Sequence, residues 1–427
     1  MPTLSDKLKS LGVSLGTSKL PASTPRQKTE KNHVANLENL LDGHWITTTH
    51  GDAYLIETFY SNDYTHGTTR LIPPDSLDTL SIWAEEPQLA KTPPLAVAFI
   101  DTETTGLSGG TGTLAFLIGI GRFDTAGFQL AQFFLPDPAA EPAQLIAAEN
   151  FLAGMTAIVT FNGKSFDLPL LRTRYALHGW PAPFSGYAHA DLLHLARRLW
   201  RDRLPSRTLG NLETQIIGAS RTEDDIPGWM IPQMYLDYLH TGDPAPLQRV
   251  IYHNAMDILS LAALFNHLSS LLDTPLESEI THGVDILSLA RLFEDMGLIE
   301  TATSLYIRGL NHPDTQTEDM PRSVYLDAIQ RLASIHKKND QRDKALLLWK
   351  LAANNDHLEA HIELAKFFEH QLRDYTLALE WTRTAIDLVN SPAFPNFSRS
   401  LYLPELEHRQ SRLLRKLERA RSIDNER

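Results

Sequence analysis

The sequence predicts an α/β domain, a mixed sheet flanked by helices, followed by an all-α domain of helical repeats. Three observations carry this. Between Leu95 and Leu135, three apolar runs of strand length follow one another as a meander. After Leu135, strand-length runs alternate with helix-length ones, the pattern of a sheet covered by helices. Beyond residue 280 the strand-like runs stop and helical pairs alone remain.

Composition sets the outer limits. At 427 residues the chain is long enough for two or three domains. Its 42% apolar and 21% charged residues are those of a globular protein. Cysteine is absent, which excludes disulfides and thiolate metal sites and fits a reducing interior. No apolar run is long enough to span a bilayer; the most hydrophobic stretch, Thr113 to Gly121, is of strand length. Met1 to Pro21 lacks the apolar core of a secretory signal. A soluble, cytoplasmic protein that engages no membrane is expected. The net charge of −13 argues against generic coating of nucleic acid but leaves room for a local basic track.

Residues 1–33 are rich in Ser, Thr, Pro and Lys and read as a disordered, mildly basic arm. Residues 34–92 read as a small β-rich element packed on the next domain. Within it, His33 to Leu41 fits a short helix and Ala53 to Phe59 a strand, and Pro87, Pro93 and Pro94 mark its end. Residues 93–275 make the α/β domain. Its strands are expected at Leu95 to Asp101, Thr113 to Phe123, Phe128 to Leu135, Ala157 to Phe161 and Tyr187 to Asp191. Helices are expected at Pro142 to Ala153, Ser165 to His178, Leu192 to Arg201 and Leu247 to Leu272.

Residues 280–427 read as helices throughout. Ile286 to Leu310, Tyr325 to Asn354 and Glu359 to Leu388 each fit a helical pair. Ala345 and Ala378 lie 33 residues apart, as do Leu348 and Trp381, which is the tetratricopeptide period. Pro404 to Arg421 reads as a final basic helix that caps the array.

The chemistry is centred on Ala96 to Gly112, AVAFIDTETTGLSGGTG. Residues i and i+2 of a strand share a face, so Asp101 and Glu103 project side by side. Two carboxylates this close repel unless a cation sits between them, and hard cations prefer oxygen ligands. Two further acidic elements follow. Asp167 closes Asn162-Gly163-Lys164-Ser165-Phe166-Asp167, just after a strand, where it serves either the site or the cap of the following helix. In Tyr252-His253-Asn254-Ala255-Met256-Asp257, His253 and Asp257 are four residues apart and share a helix face. Four acids converging from these elements suit two divalent ions, and a neighbouring histidine suits the orientation or deprotonation of water. The Gly106 to Gly112 loop lacks the ending of a phosphate loop and reads as a close-approach loop beside the site.

Taken in order, D-x-E, N-x(3)-F-D and H-x(3)-D resemble the three motifs of the DEDD superfamily, 3′–5′ exonucleases on a ribonuclease H-like fold. More narrowly, TGLSGGTGTLAFLIG, DLLHLARRLW, DIPGWMIPQMYLDYL and HNAMDILSL resemble the YprB-type predicted exonucleases, over Leu95 to Leu272. The resemblance implies a two-metal nuclease using Mg²⁺ or Mn²⁺. It implies that Asp101, Glu103 and Asp257 hold the first ion, that Asp101 bridges to the second, and that Asp167 acts through the second or its waters. The superfamily's branches carry Y-x(3)-D or H-x(4)-D, whereas this chain has His253 in the tyrosine slot and Tyr252 in the histidine slot. His253 is assigned as the water-orienting residue because it shares Asp257's face.

Thr104, Gly106, Leu107, Asn162 and Lys164 are expected to line the nucleic-acid path. Arg197, Arg198 and Arg201, with Arg203, Arg207 and Arg172, form a basic track that reads either as a phosphate-binding surface or as a solvated helix face. Trp200 and Trp229 either stack on bases or belong to the core. The expected activity is metal-dependent phosphodiester hydrolysis, a 3′–5′ exonuclease acting on a single-stranded end of DNA or RNA, with a protein partner recruited through the repeats. The alternatives are a non-catalytic nucleic-acid-binding adaptor and a structure-specific endonuclease.

Overall fold

A computed structural model describes residues 37–38, 40–106, 111–317, 319–392 and 394–425. The arm expected at 1–33 and Leu107 of the expected nucleic-acid path lie outside the described residues.

A seven-stranded mixed sheet organises the first part of the chain. Its strands are β1 (His44–Thr48), β2 (Gly51–Ser61), β5 (Val97–Thr104), β6 (Ala115–Asp124), β7 (Gly127–Phe134), β8 (Ala157–Thr160) and β9 (Ala188–Asp191), in the order β1-β2-β7-β6-β5-β8-β9. A separate two-stranded ribbon is formed by β3 (Thr65–His66) and β4 (Thr69–Arg70). The first five strands in that order run antiparallel, and β5, β8 and β9 pair in parallel.

Alternation along β5 shows why the sheet is buried on both faces. Val97 and Phe99 enter one apolar core, whereas Ala98 and Ile100 enter the other. The first face is covered by α7 (Leu247–Asp273), with Ile258, Leu261 and Phe265 in the same core as Phe99. The second is covered by α2 (Glu141–Phe151) and α3 (Asp167–Leu177), through Leu145, Ala148, Leu168 and Leu171. The remaining helices of this part are α1 (Asp78–Ala84), α4 (Leu192–Trp200), α5 (Leu209–Leu212) and α6 (Ile231–Thr241). By length and composition α7 is apolar enough to cross a membrane, but 78% of its most apolar window is buried inside the protein, as a core helix.

One expectation about organisation is corrected. Residues 34–92 do not make an element of their own, because β1 and β2 extend the same sheet, β2 pairing with β7 from Tyr54↔Phe134 to Ser61↔Gly127. The cause is that β2 is apolar on both sides: Ala53 and Leu55 pack under α2 while Tyr54 and Ile56 pack on the opposite face. The prolines taken as a boundary sit in the turns that lead into β5. The helical domain that follows packs directly on the α/β part. Val284, Ile286, Leu289 and Phe293 share one apolar core with α4 and α7.

The rest of the chain is helical: α8 (Gly283–Asp295), α9 (Ile299–Leu310), α10 (Arg322–Lys338), α11 (Arg342–Ala353), α12 (Leu358–Phe367), α13 (Tyr375–Asn390) and α14 (Asn396–Asn425). The second helices of two successive pairs, α11 and α13, begin 33 residues apart, and Ala345 and Ala378 are both fully buried. α14 packs along α13, and Leu413 joins the core of the last two pairs.

Candidate active site

β5 is buried through Ile100 and becomes accessible from Asp101 onward, so the D-x-E stretch emerges where the strand leaves the core. The pairing of β5 with β6 shifts register between Glu103 and Thr104. A β-bulge of this kind re-aims side chains at a strand end.

Each acid is held by a different device. Asp101 Oδ2 accepts a hydrogen bond from Asn254 Nδ2 at 2.8 Å. Asn254 is buried on α7 and is itself fixed by Gln132, whose Nε2 donates to Asn254 Oδ1 at 2.9 Å and to the Ile251 carbonyl at 2.8 Å. Opposite Asp101 on β6 stands Gly119, where a Cβ would come within 2.3 Å of Asn254 Oδ1. Glycine there is what lets α7 bring Asn254 against the strand. Asp167 begins α3 without capping it; its Oδ1 accepts from Thr102 Oγ1 at 2.6 Å and from the Thr102 backbone N–H at 3.1 Å. The residue between the two acids of D-x-E thus anchors the third.

Glu103, His253 and Asp257 converge, with one donor atom of each lying within 4.8 Å of the others. His253 Nδ1 meets Asp225 Oδ1 at 2.7 Å, and its Nε2 lies 3.5 Å from Asp257 Oδ2. Nδ1–H donating to Asp225 leaves Nε2 as the basic nitrogen facing the acids. Tyr252 is elsewhere: its hydroxyl accepts from the Thr222 N–H at 3.0 Å. Asp257 Oδ1 accepts from Arg221 Nη2 at 2.5 Å.

Electrostatically the acids are undercompensated. Burial, then the neighbouring Asp257, Asp167 and Glu103 carboxylates, push Asp101 well above the usual carboxylate range. Burial with Asp257 and Asp167 pushes Glu103 up to about 8. Asp167 is raised to about 6, burial outweighing its bonds from Thr102. Half-buried carboxylates that repel one another and are set beside an imidazole make a donor set that suits a hard divalent cation such as Mg²⁺ or Mn²⁺.

The comparisons agree with this geometry. A family model described as RNase_H superfamily matches residues 98–269, the stretch that runs from β5 through most of α7. The chain is also 33% identical over 289 residues to "Uncharacterized protein YprB" of Bacillus subtilis (strain 168), covering 66% of this chain and 67% of that protein. The chain belongs to the family of YprB. The RNase_H superfamily match over residues 98–269 supports a nuclease-type hydrolase that binds nucleic acid, and folds of this superfamily typically use divalent metals.

The other expected residues divide by location. Thr104 Oγ1 donates to the Gly106 carbonyl at 2.9 Å, closing the turn at the end of β5. Asn162 adopts a left-handed backbone with φ of 71°. Its N–H and that of Lys164 donate to the two oxygens of Asp191, at 2.7 and 3.0 Å, so Asp191 shapes the loop that delivers Asp167. The Lys164 side chain is exposed.

The arginine track is largely absorbed elsewhere. Arg198 pairs with Asp295 of α8 and Arg203 with Asp285 of α8, while Arg207 donates to the Leu204 and Pro205 carbonyls. Arg201 is exposed beside Asp202, and Arg172 lies over the Phe184 ring. Arg197 is exposed, with no ion-pair partner among the described residues. Trp200 is buried in the core, whereas Trp229 is 75% exposed, next to Gly228 on the rim of a cleft of about 640 Å³ that reaches Asp257 and His253.

Asn254, Gly119, Gln132, Glu213, Arg221 and Asp225 were not singled out from the sequence. Asn254 lies inside the quoted HNAMD segment, where a buried polar residue on a core helix is a usable signal. Asp225 opens the quoted DIPGWMIPQMYLDYL segment, whereas Arg221 lies in the polar stretch before it, which carries no periodicity.

Proposed function

We propose that the protein is a metal-dependent nuclease, a 3′–5′ exonuclease that hydrolyses phosphodiester bonds from a strand end. The observation that carries this is the convergence of Glu103, Asp257 and His253, with Asp101 and Asp167 on adjoining strand and helix ends. In this reading Asp101, Glu103 and Asp257 hold one divalent ion, and Asp101 and Asp167 serve a second. The ions would activate a water and stabilise the leaving oxygen of the phosphodiester. His253, with Nδ1 committed to Asp225, presents Nε2 to take a proton from the attacking water. Asn254 and Thr102 keep Asp101 and Asp167 in place while substrate binds. Thr104, Gly106, Leu107, Asn162 and Lys164 are assigned to the terminal nucleotides, and Arg197 and Arg201, which remain exposed, to the phosphates that follow. The helical pairs are assigned to a tetratricopeptide-like array that recruits a protein partner, in a cytoplasmic setting.

The test is an assay on end-labelled DNA and RNA oligonucleotides, single- and double-stranded, with Mn²⁺ and with EDTA. Release of mononucleotides from the 3′ end in Mn²⁺, abolished by EDTA and by Asp101→Ala or Asp257→Ala in folded protein, is the expected result. Equal hydrolysis by wild type and both variants overturns the reading. Cleavage of circular strands replaces the exonuclease assignment with an endonuclease one.

A further inference from the structure

Arg221 is the one cation in direct contact with the candidate metal ligands among the described residues, and nothing in the mechanism above uses it. Its guanidinium is gripped from behind. Glu213, with 1% of its side chain exposed, accepts on Oε2 from Arg221 Nε at 2.9 Å and from Nη2 at 2.8 Å. The same oxygen accepts from Ser260 Oγ of α7 at 2.7 Å, and Ser260 Oγ meets His66 Nε2 of the β3–β4 ribbon at 2.9 Å. On its other side Arg221 donates through Nη2 to Asp257 Oδ1 at 2.5 Å. Nη1 lies 3.6 Å from Asp225 Oδ1, the carboxylate that holds His253.

The turn carrying Arg221 and Asp225 is itself docked on α7. Tyr252 Oη accepts from the Thr222 N–H at 3.0 Å, and Arg249 donates to the carbonyls of Asp224 at 2.9 Å and Asp225 at 3.0 Å. One turn therefore orients both α7 residues of the centre, Asp257 through Arg221 and His253 through Asp225.

Two roles fit an arginine in such a place. It can plug the cation's position and withdraw when metal enters, or it can stay and aim the ligand. The contacts decide between them. Withdrawal would strand Glu213 as a buried, unpaired carboxylate, and breaking such a pair is strongly unfavourable. Staying costs nothing comparable, because Glu213 already matches the guanidinium charge. With Oδ1 of Asp257 occupied, Oδ2 is the oxygen left to face His253 Nε2 and the centre. We propose that Arg221, anchored by Glu213, is a positioning residue that orients Asp257 as a metal ligand. This rests on the metal-site reading above.

The experiment measures Mn²⁺ affinity of the full chain by the electron paramagnetic resonance signal of free Mn²⁺, for wild type, Asp257→Ala, Arg221→Gln and Arg221→Lys, with melting curves in EDTA to establish folding. Outer partners of metal ligands are worth about 10–100-fold in affinity. Arg221→Gln is expected to weaken Mn²⁺ binding by that factor. Arg221→Lys, which keeps the charge but loses the fork that spans Glu213 and Asp257, is expected to fall between it and wild type. Wild-type binding that Asp257→Ala abolishes but Arg221→Gln leaves unchanged overturns the positioning role alone, and tighter binding in Arg221→Gln establishes the plug in its place. A wild-type chain that binds no Mn²⁺, or an Asp257→Ala variant that binds as wild type does, overturns the metal reading and this role with it. If Arg221→Gln does not fold, Arg221→Lys decides, wild-type affinity in it being the overturning result.

Discussion

Two buried clusters treat the same chemical group in opposite ways. In the helical region Glu369 is fully buried and accepts from Arg409 at 2.9 Å, from Arg412 at 2.8 and 3.0 Å, and from Lys416 at 2.9 Å. Burial works to raise its pKa, but the hydrogen bonds and charges of Arg412 and Lys416 outweigh it and hold the carboxyl at about 2. At the end of β5 burial works in the same direction, and Asp101 and Glu103 meet mainly other carboxylates. The first cluster is complete within the chain and ties α14 to the turn after α12. The second is uncompensated among the described residues, which fits the proposed cation site.

The sharpest way to break this contrast is to remove one charge from each cluster. Glu369→Gln leaves three cations facing a neutral group. Loss of one partner from a buried ionic cluster costs about 3–5 kcal/mol, and the lower end applies because Arg412 and Lys416 reach solvent. Asp101→Asn relieves repulsion and keeps an oxygen for Asn254, so the metal-free protein should be at least as stable as wild type. Urea unfolding in EDTA checks both. A large destabilisation by Asp101→Asn, or none by Glu369→Gln, would remove the distinction.

A second test uses pH. Glu103 has a folded pKa of about 8 against about 4.3 unfolded, so between those values the folded chain binds the extra proton. Stability of the metal-free protein from this group is therefore greatest below about 4.3 and is lost as pH rises through 8. Asp167, raised to about 6, adds to the loss at lower pH. Glu369 has the opposite sign: its contribution is present above about 4.3 and is lost as pH falls toward 2. Melting curves in EDTA across pH 5–9 should fall with rising pH, Glu103→Gln should flatten the slope, and Mn²⁺ should reverse it. A slope that Glu103→Gln leaves intact would count against the uncompensated-acid reading.

What was legible in the sequence follows the range of the interactions. Asp101 and Glu103 share a strand face, and His253 and Asp257 a helix face, because these are local periodicities of two and about four residues. The five strands and four of the helices from Leu95 to Leu272 were legible for the same reason, their apolar runs being long and regular, whereas α5 and α6 were not. The partners that give these residues their geometry are distant: Asn254 reaches Asp101 across 153 positions and Arg221 reaches Asp257 across 36. β1 was not read from the sequence, and β2 was assigned to a separate element because its pairing with β7 is a long-range event that no local pattern announces. The ion pairs of Arg198 and Arg203 were not legible because their acids, Asp295 and Asp285, come from the next helical element.

That last point yields the smallest and most discriminating expectation, within one helix. Arg197 and Arg198 are neighbours near the end of α4, and composition treats them alike. Arg198 is committed to Asp295, a half-exposed pair of the kind worth about 0–1 kcal/mol, whereas Arg197 is exposed with no ion-pair partner among the described residues and is the one proposed to meet phosphate. Each phosphate contact on a single strand contributes about 0.7 to the slope of log affinity against log salt. Arg197→Gln should therefore lower that slope by about 0.7 with no change in melting temperature. Arg198→Gln should leave the slope as it is and lower stability by less than about 1 kcal/mol. Fluorescence anisotropy of a labelled single strand in EDTA, titrated at several salt concentrations, reads both. Equal slopes for the two variants would mean that the track acts as one surface and that the pairing of Arg198 yields to substrate; a difference would leave Arg197 as the part of the track that nucleic acid reads.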